Sequence, residues 1–97
     1  MKERIEKNEE RLDKVILSVN NLENALTEFK KNKRNITLLN NYYGSKNWFK
    51  DKEAYEKGLI DVKAGVLAED TVWNLLDDIE NLILEMRKII KNYKKNN

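Results

Sequence analysis

Proline is absent from this chain of 97 residues, and glycine occurs only three times, at Gly44, Gly58 and Gly65. Proline ends α-helices because it lacks a backbone N–H and its ring clashes with the preceding turn, and glycine weakens them through its backbone freedom. A chain with so few helix-breaking residues favours long, uninterrupted helices. The sequence therefore predicts an all-α fold whose helix ends fall near the glycines.

The first 43 residues carry an apolar stripe of the kind that a coiled-coil-like helix presents along one face. Its members are Ile5, Leu12, Val15, Val19, Leu22, Leu26, Phe29, Ile36 and Tyr43. Their spacing, mostly threes, fours and sevens, matches the helical repeat. We predict one helix over residues 3–43, roughly 60 Å long, which ends where Gly44 can take the left-handed conformation.

A short helix is predicted next, over residues 46–57. Ser45 precedes it and can accept a hydrogen bond from a free backbone N–H of the first turn, so we expect it to be the N-cap. Lys52 and Glu56 lie four residues apart, where opposite charges support a helix. Residues 58–68 follow neither the helix nor the strand repeat, and they predict an ordered loop that can hold a short strand or a helical turn.

The last helix is predicted over residues 69–94 from a second apolar stripe. Its members are Val72, Leu75, Leu76, Ile79, Leu82, Ile83, Met86, Ile89, Ile90 and Tyr93. The stripe is broader than one facing helix can cover. We therefore expect it to contact the short helix or a second subunit as well.

Charges along the last helix change sign near its middle. Residues 69–85 hold six acids and no base, and residues 87–97 hold five bases and no acid. The first helix shows a weaker bias of the same direction. Opposite charges then meet if the two helices pair antiparallel. We predict a single domain over residues 1–97, built as a long antiparallel helical hairpin of residues 3–43 and 69–94.

Histidine and cysteine are both absent. Their absence removes the usual proton shuttle, the thiolate nucleophile, disulfides and the strongest nitrogen and sulfur metal ligands. We expect a non-enzymatic protein of the reducing cytoplasm, without cofactor or catalytic residues. The apolar runs are short and the start is charged, so we expect no membrane span and no signal peptide.

One enzymatic alternative uses carboxylates alone, as a Mg²⁺-dependent enzyme that acts on nucleotides. All-α nucleotide pyrophosphohydrolases use carboxylates of that kind, and this chain spaces acids along its predicted helices. The relevant groups are Glu6/Glu9, Glu10/Asp13 and Asp77/Asp78/Glu80. Seventeen acids in 97 residues produce such spacings by chance, so we rank this hypothesis last.

Half of the eight aromatic residues lie within eight positions, at Tyr42, Tyr43, Trp48 and Phe49. Rings at this density are typical either of a partner-binding surface or of a small core. We favour a core that locks the bend between the first helix and the short one, and we expect Trp73 to join it.

A basic patch of Lys30, Lys31, Lys33 and Arg34 lies toward the end of the first helix, and the C-terminal segment is basic too. The alternative hypothesis is a nucleic-acid-associated protein that uses these two segments. We favour solvated helix ends that match the helix dipole, because no aromatic residue is interleaved for base stacking.

Two motifs resemble those of a small bacterial family known as domain of unknown function 4298. They read Tyr42-Tyr43-Gly44-Ser45-x-x-Trp48-Phe49 and Gly65-Val66-Leu67-Ala68-Glu69-Asp70-x-Val72-x-x-Leu75-Leu76. The resemblance implies a compact helical fold and no assigned activity, substrate or cofactor. The leading hypothesis rests on the broad apolar stripe of the last helix. It is a helical protein–protein interaction module that forms a homodimer through this surplus apolar face.

Overall fold

The computed structural model describes residues 1–93, which form helices joined by short connections. The elements are α1 (Lys2–Lys31), α2 (Lys33–Tyr42), α3 (Lys46–Glu56), a 3₁₀ turn (Gly65–Leu67) and α4 (Thr71–Asn92). No strand occurs in this part of the chain. The predicted all-α class is confirmed.

The chain divides into two compact units, one of residues 1–36 and one that begins at Thr37. Each unit is described by itself. The single domain over residues 1–97 and the antiparallel pairing of the first and last helices stay predictions.

The helix predicted over residues 3–43 is present as two helices, because it is interrupted at Asn32. The Asn32 side-chain amide donates to the Glu28 carbonyl oxygen at 3.0 Å, the acceptor that its backbone N–H would use in a regular helix. That N–H instead bonds to Phe29 O at 3.1 Å. The chain thus makes one i→i−3 bond at Asn32 in place of the regular i→i−4 bond.

The turn between α2 and α3 forms where the sequence predicts it. Gly44 has φ of +77°, the left-handed conformation that a side chain disfavours. Ser45 then caps α3, and its Oγ accepts a hydrogen bond from the backbone N–H of Trp48 at 3.2 Å. The cap fixes where α3 begins, and therefore where its first aromatic residues lie.

The far end of α3 is closed by a Schellman motif around Gly58, whose φ is +73°. The N–H of Leu59 bonds to Ala54 O and the N–H of Gly58 bonds to Tyr55 O, both at 3.0 Å, which is the pattern that defines this motif. The predicted loop follows, and it contains the helical turn that we allowed for, as the 3₁₀ turn.

The last helix begins at Thr71, two residues later than predicted, and ends at Asn92. The predicted end at residue 94 lies outside the described residues. Three residues of the described chain are buried, and all belong to the second unit: Trp48, Leu67 and Val72. The core of this unit thus lies where α3, the 3₁₀ turn and the start of α4 meet.

Candidate interaction site

Trp48 is the centre of the bend cluster, by which we mean Tyr42, Tyr43, Trp48 and Phe49. The first turn of α3 carries Trp48, which is 4% exposed. Its ring contacts that of Tyr43 edge-to-face at a centroid distance of 5.2 Å and that of Phe49 at 5.0 Å. Edge-to-face pairs of this kind stabilise a fold beyond the area they bury.

Two members of the bend cluster are also hydrogen-bonded to the segment that precedes α4. Trp48 Nε1 donates to the backbone oxygen of Val66 at 2.9 Å. Tyr43 Oη donates to the backbone oxygen of Glu69 at 2.7 Å. The two side chains thus supply hydrogen-bond donors to backbone carbonyl groups that no helix or strand pairs. These bonds fix the segment against α3.

Lys52 adds a charged contact to the same arrangement. Its Nζ lies 2.8 Å from Glu69 Oε1 and 5.1 Å from the centre of the Trp48 ring. The hydrogen bond with Glu69 raises the pKa of Lys52, and the same bond lowers the pKa of Glu69. Lys52 therefore stays charged between a carboxylate and an aromatic face.

The sequence did not reveal this ion pair. The i,i+4 spacing predicted that Lys52 pairs with Glu56, and that pair exists at 4.0 Å. The shorter pair joins residues 17 positions apart, across a loop whose path the helical repeat cannot predict. The position of Glu69 directly after the predicted loop was the only signal in the sequence.

Tyr42 lies on the other side of the α2–α3 turn and bonds to α3. Its Oη donates to Asp51 Oδ2 at 2.6 Å. This hydrogen bond, with burial and the Asp51 charge as smaller causes, raises the pKa of Tyr42 from 10.0 to about 12. The protonated phenol is thus the form that ties α3 to the end of α2.

The contribution of Tyr42 to stability is expected to disappear at high pH. A folded-state pKa above the unfolded value means that the contribution is complete below pH 10 and is lost as the pH rises toward 12. Absorbance titration of the phenolate should show one tyrosine that ionises late, and Tyr42→Phe should remove that late step. Asp51→Asn should bring it toward the ordinary value, and an unchanged step in both variants would contradict the assignment.

The prediction that Trp73 joins the core is wrong. Trp73 is 58% exposed, because its neighbour Val72 takes the buried face of α4 and the next residue lies about 100° around the helix. Trp73 instead borders an open cleft of about 550 Å³. The other cleft residues are Tyr43, Trp48, Phe49, Lys52, Glu69 and Asp70.

The bend cluster is thus part core and part surface. Trp48 is buried, Tyr42 and Tyr43 are half-buried, and Phe49 is 60% exposed. The structure brings four of the five predicted aromatic residues together in one cleft, with Tyr42 outside it.

The basic patch is divided by the helix break. Lys30 and Lys31 end α1, whereas Lys33 and Arg34 begin α2. Lys31 pairs with Glu28 at 3.1 Å. The nucleic-acid hypothesis for this patch stays untested, and the part of it that concerns Lys94 and Lys95 lies outside the described residues.

The acidic residues that the enzymatic alternative would use lie on α1 and α4. Among residues 1–93, no three carboxylates come together as potential ligands of one metal ion.

None of the helices within residues 1–93 combines the length and the hydropathy needed to cross a bilayer.

The C-terminal half of α4 carries an exposed apolar surface. We call it the α4 stripe, and its exposed members are Leu82, Ile83, Met86, Ile89, Ile90 and Tyr93. Ile90 is 76% exposed. Only the first turns of this helix carry buried or half-buried residues, so its second half extends past the core.

Comparison with known proteins gives a family but no function. The model of the family described as domain of unknown function (DUF4298) matches residues 5–95. No curated protein and no solved structure matches the chain. The resemblance found in the two sequence motifs is confirmed.

Proposed function

We propose, starting from the fact that the chain belongs to the DUF4298 family, that this protein is a non-enzymatic, cytoplasmic interaction module that associates with itself. The observation that carries the proposal is the exposed α4 stripe. The bend cluster supports it indirectly, because it fixes the segment from which α4 begins.

The cost of leaving the α4 stripe in water is substantial. Burying one large aliphatic side chain contributes about 1.5–3 kcal/mol, and Leu82, Ile89 and Ile90 are each more than half exposed. Large continuous apolar surfaces are rare on monomeric proteins and often mark sites of protein–protein interaction. A second helix laid along the stripe would remove that cost.

The first unit supports the same proposal. α1 contains no buried residue, although it carries an apolar stripe along its length. Most of the stability of helices in proteins comes from packing of an amphipathic face rather than from helix propensity. We therefore propose that α1 also packs against another helix, and the hairpin predicted from the sequence is one arrangement that does so.

Sedimentation velocity over a micromolar concentration series tests the proposal. We expect the wild-type protein to sediment as a dimer that dissociates on dilution. Ile89→Glu should weaken the dimer at least ~100-fold, because association would bury an unpaired carboxylate. Leu84→Glu is the matched control, since Leu84 is an exposed leucine of the same helix on the face away from the stripe. Its effect on the dissociation constant should stay within a few-fold.

Circular dichroism of each variant separates lost association from lost folding. A wild-type protein that stays monomeric throughout the series would contradict the proposal. Equal weakening by both substitutions would contradict the role of the α4 stripe.

A further inference from the structure

We infer that the partner of the α4 stripe is the same stripe of a second copy, with the two helices antiparallel. This inference rests on the proposed function and specifies its interface. It follows from the spacing of the apolar residues and from the order of the charges along α4.

The apolar spacing makes α4 complementary to itself. Ile79, Leu82, Met86, Ile89 and Tyr93 alternate in steps of three and four, the pattern by which one helix packs into another. Residues reached by a step of three, such as Leu82 and Ile89, form one set of positions, and residues reached by a step of four form the other. In an antiparallel pair the residues of one set face those of the other set. One register then sets Leu82 opposite Met86 and Ile79 opposite Ile89 at the same time. A two-fold symmetric dimer requires this self-complementarity, because the same surface of each copy forms both sides of the interface.

The charges select the antiparallel direction. The acids of α4 all precede Met86, and its bases all follow it. The register that matches the apolar residues lays the acidic half of each copy alongside the basic half of the other, and it brings Glu80 of one copy level with Arg87 of the other on the same flank of the pair. A parallel pair would place acids beside acids along half of the helix. Exposed ion pairs contribute little strength, so they determine direction while the apolar residues determine affinity.

The predicted hairpin would place the start of α1, instead of a second copy, beside the basic end of α4. The start of α1 has no block of acids to match those bases. Residues 1–14 hold five acids and five bases, interspersed, so they offer no block of one sign to the basic end of α4. A second copy of α4 offers such a block over its acidic half. The charge complementarity therefore favours a second copy as the occupant of the stripe.

Disulfide trapping tests the direction, because the native chain has no cysteine. Leu82→Cys and Met86→Cys are made as separate variants, one of them with an affinity tag, and are mixed and oxidised. An antiparallel pair should give the mixed disulfide in at least ~10-fold excess over either same-site disulfide, whereas a parallel pair would give the same-site products. Asn81→Cys, away from the stripe, provides the background rate.

Charge reversal provides a second test that leaves the apolar face intact. One variant combines Glu80→Lys with Glu85→Lys, and a second variant combines Arg87→Glu with Lys88→Glu. Each variant alone should weaken self-association about tenfold. A mixture of the two variants should restore the association.

Predominant same-site disulfides, or no disulfide above background, would overturn the inference. If sedimentation still shows a dimer, the proposed function survives that result, and a monomer would overturn both.

Discussion

Replacing Trp48 by alanine is expected to lower the free energy of unfolding by about 3–5 kcal/mol, the range for truncating a buried aromatic residue. The substitution removes two ring contacts, the hydrogen bond to Val66 O and the surface on which Lys52 rests. A small domain has a stability of only about 5–15 kcal/mol. Urea unfolding, followed by the fluorescence of Trp73, measures the loss.

The two tryptophans form a matched pair for this experiment. Trp73→Ala should cost less than about 1 kcal/mol, because Trp73 is mostly exposed and the cost of truncation scales with burial. Trp48→Phe keeps a ring and removes the donor to Val66, so it should cost about 1–3 kcal/mol. Equal losses for Trp48→Ala and Trp73→Ala would contradict the core that we describe.

The second large effect is expected at Leu67, the buried residue of the 3₁₀ turn. Leu67→Ala should cost about 2–5 kcal/mol, the range for a buried leucine. This loss would fall on the segment between α3 and α4, which has few backbone hydrogen bonds of its own. Chemical unfolding gives the magnitude.

Leu59 is the control for Leu67, because it lies in the same connecting segment and is 71% exposed. Leu59→Ala should change the free energy of unfolding by no more than about 0.5 kcal/mol. If both leucines cost the same, the connection between α3 and α4 would not be ordered by the core.

Features that follow from local chemistry were predictable from the sequence. The α2–α3 turn was predicted because Gly44 and Ser45 act through their own backbone and side chain. The short helix was predicted with its end only one residue off, since Gly58 closes it within the same turn. The apolar stripe of α4 was equally predictable, because its spacing alone defines a face.

Features that depend on competition or on distant contacts were not predicted. The break at Asn32 has no local signal in the sequence, because Asn8 makes the same side-chain bond to the carbonyl four residues back, Arg4 O, within the unbroken α1. The exposure of Trp73 depends on which face of α4 meets the 3₁₀ turn. The pairing of Lys52 with Glu69 needs the loop in place. No helical repeat contains this information.

The central claim is that the α4 stripe is an interface. Hydrogen exchange of the wild-type protein, measured at a dilute and at a concentrated condition, tests it residue by residue. We predict that amides of residues 82–92 become more protected at high concentration, while those of α3 do not change. Protection of the stripe that is independent of concentration would contradict the claim.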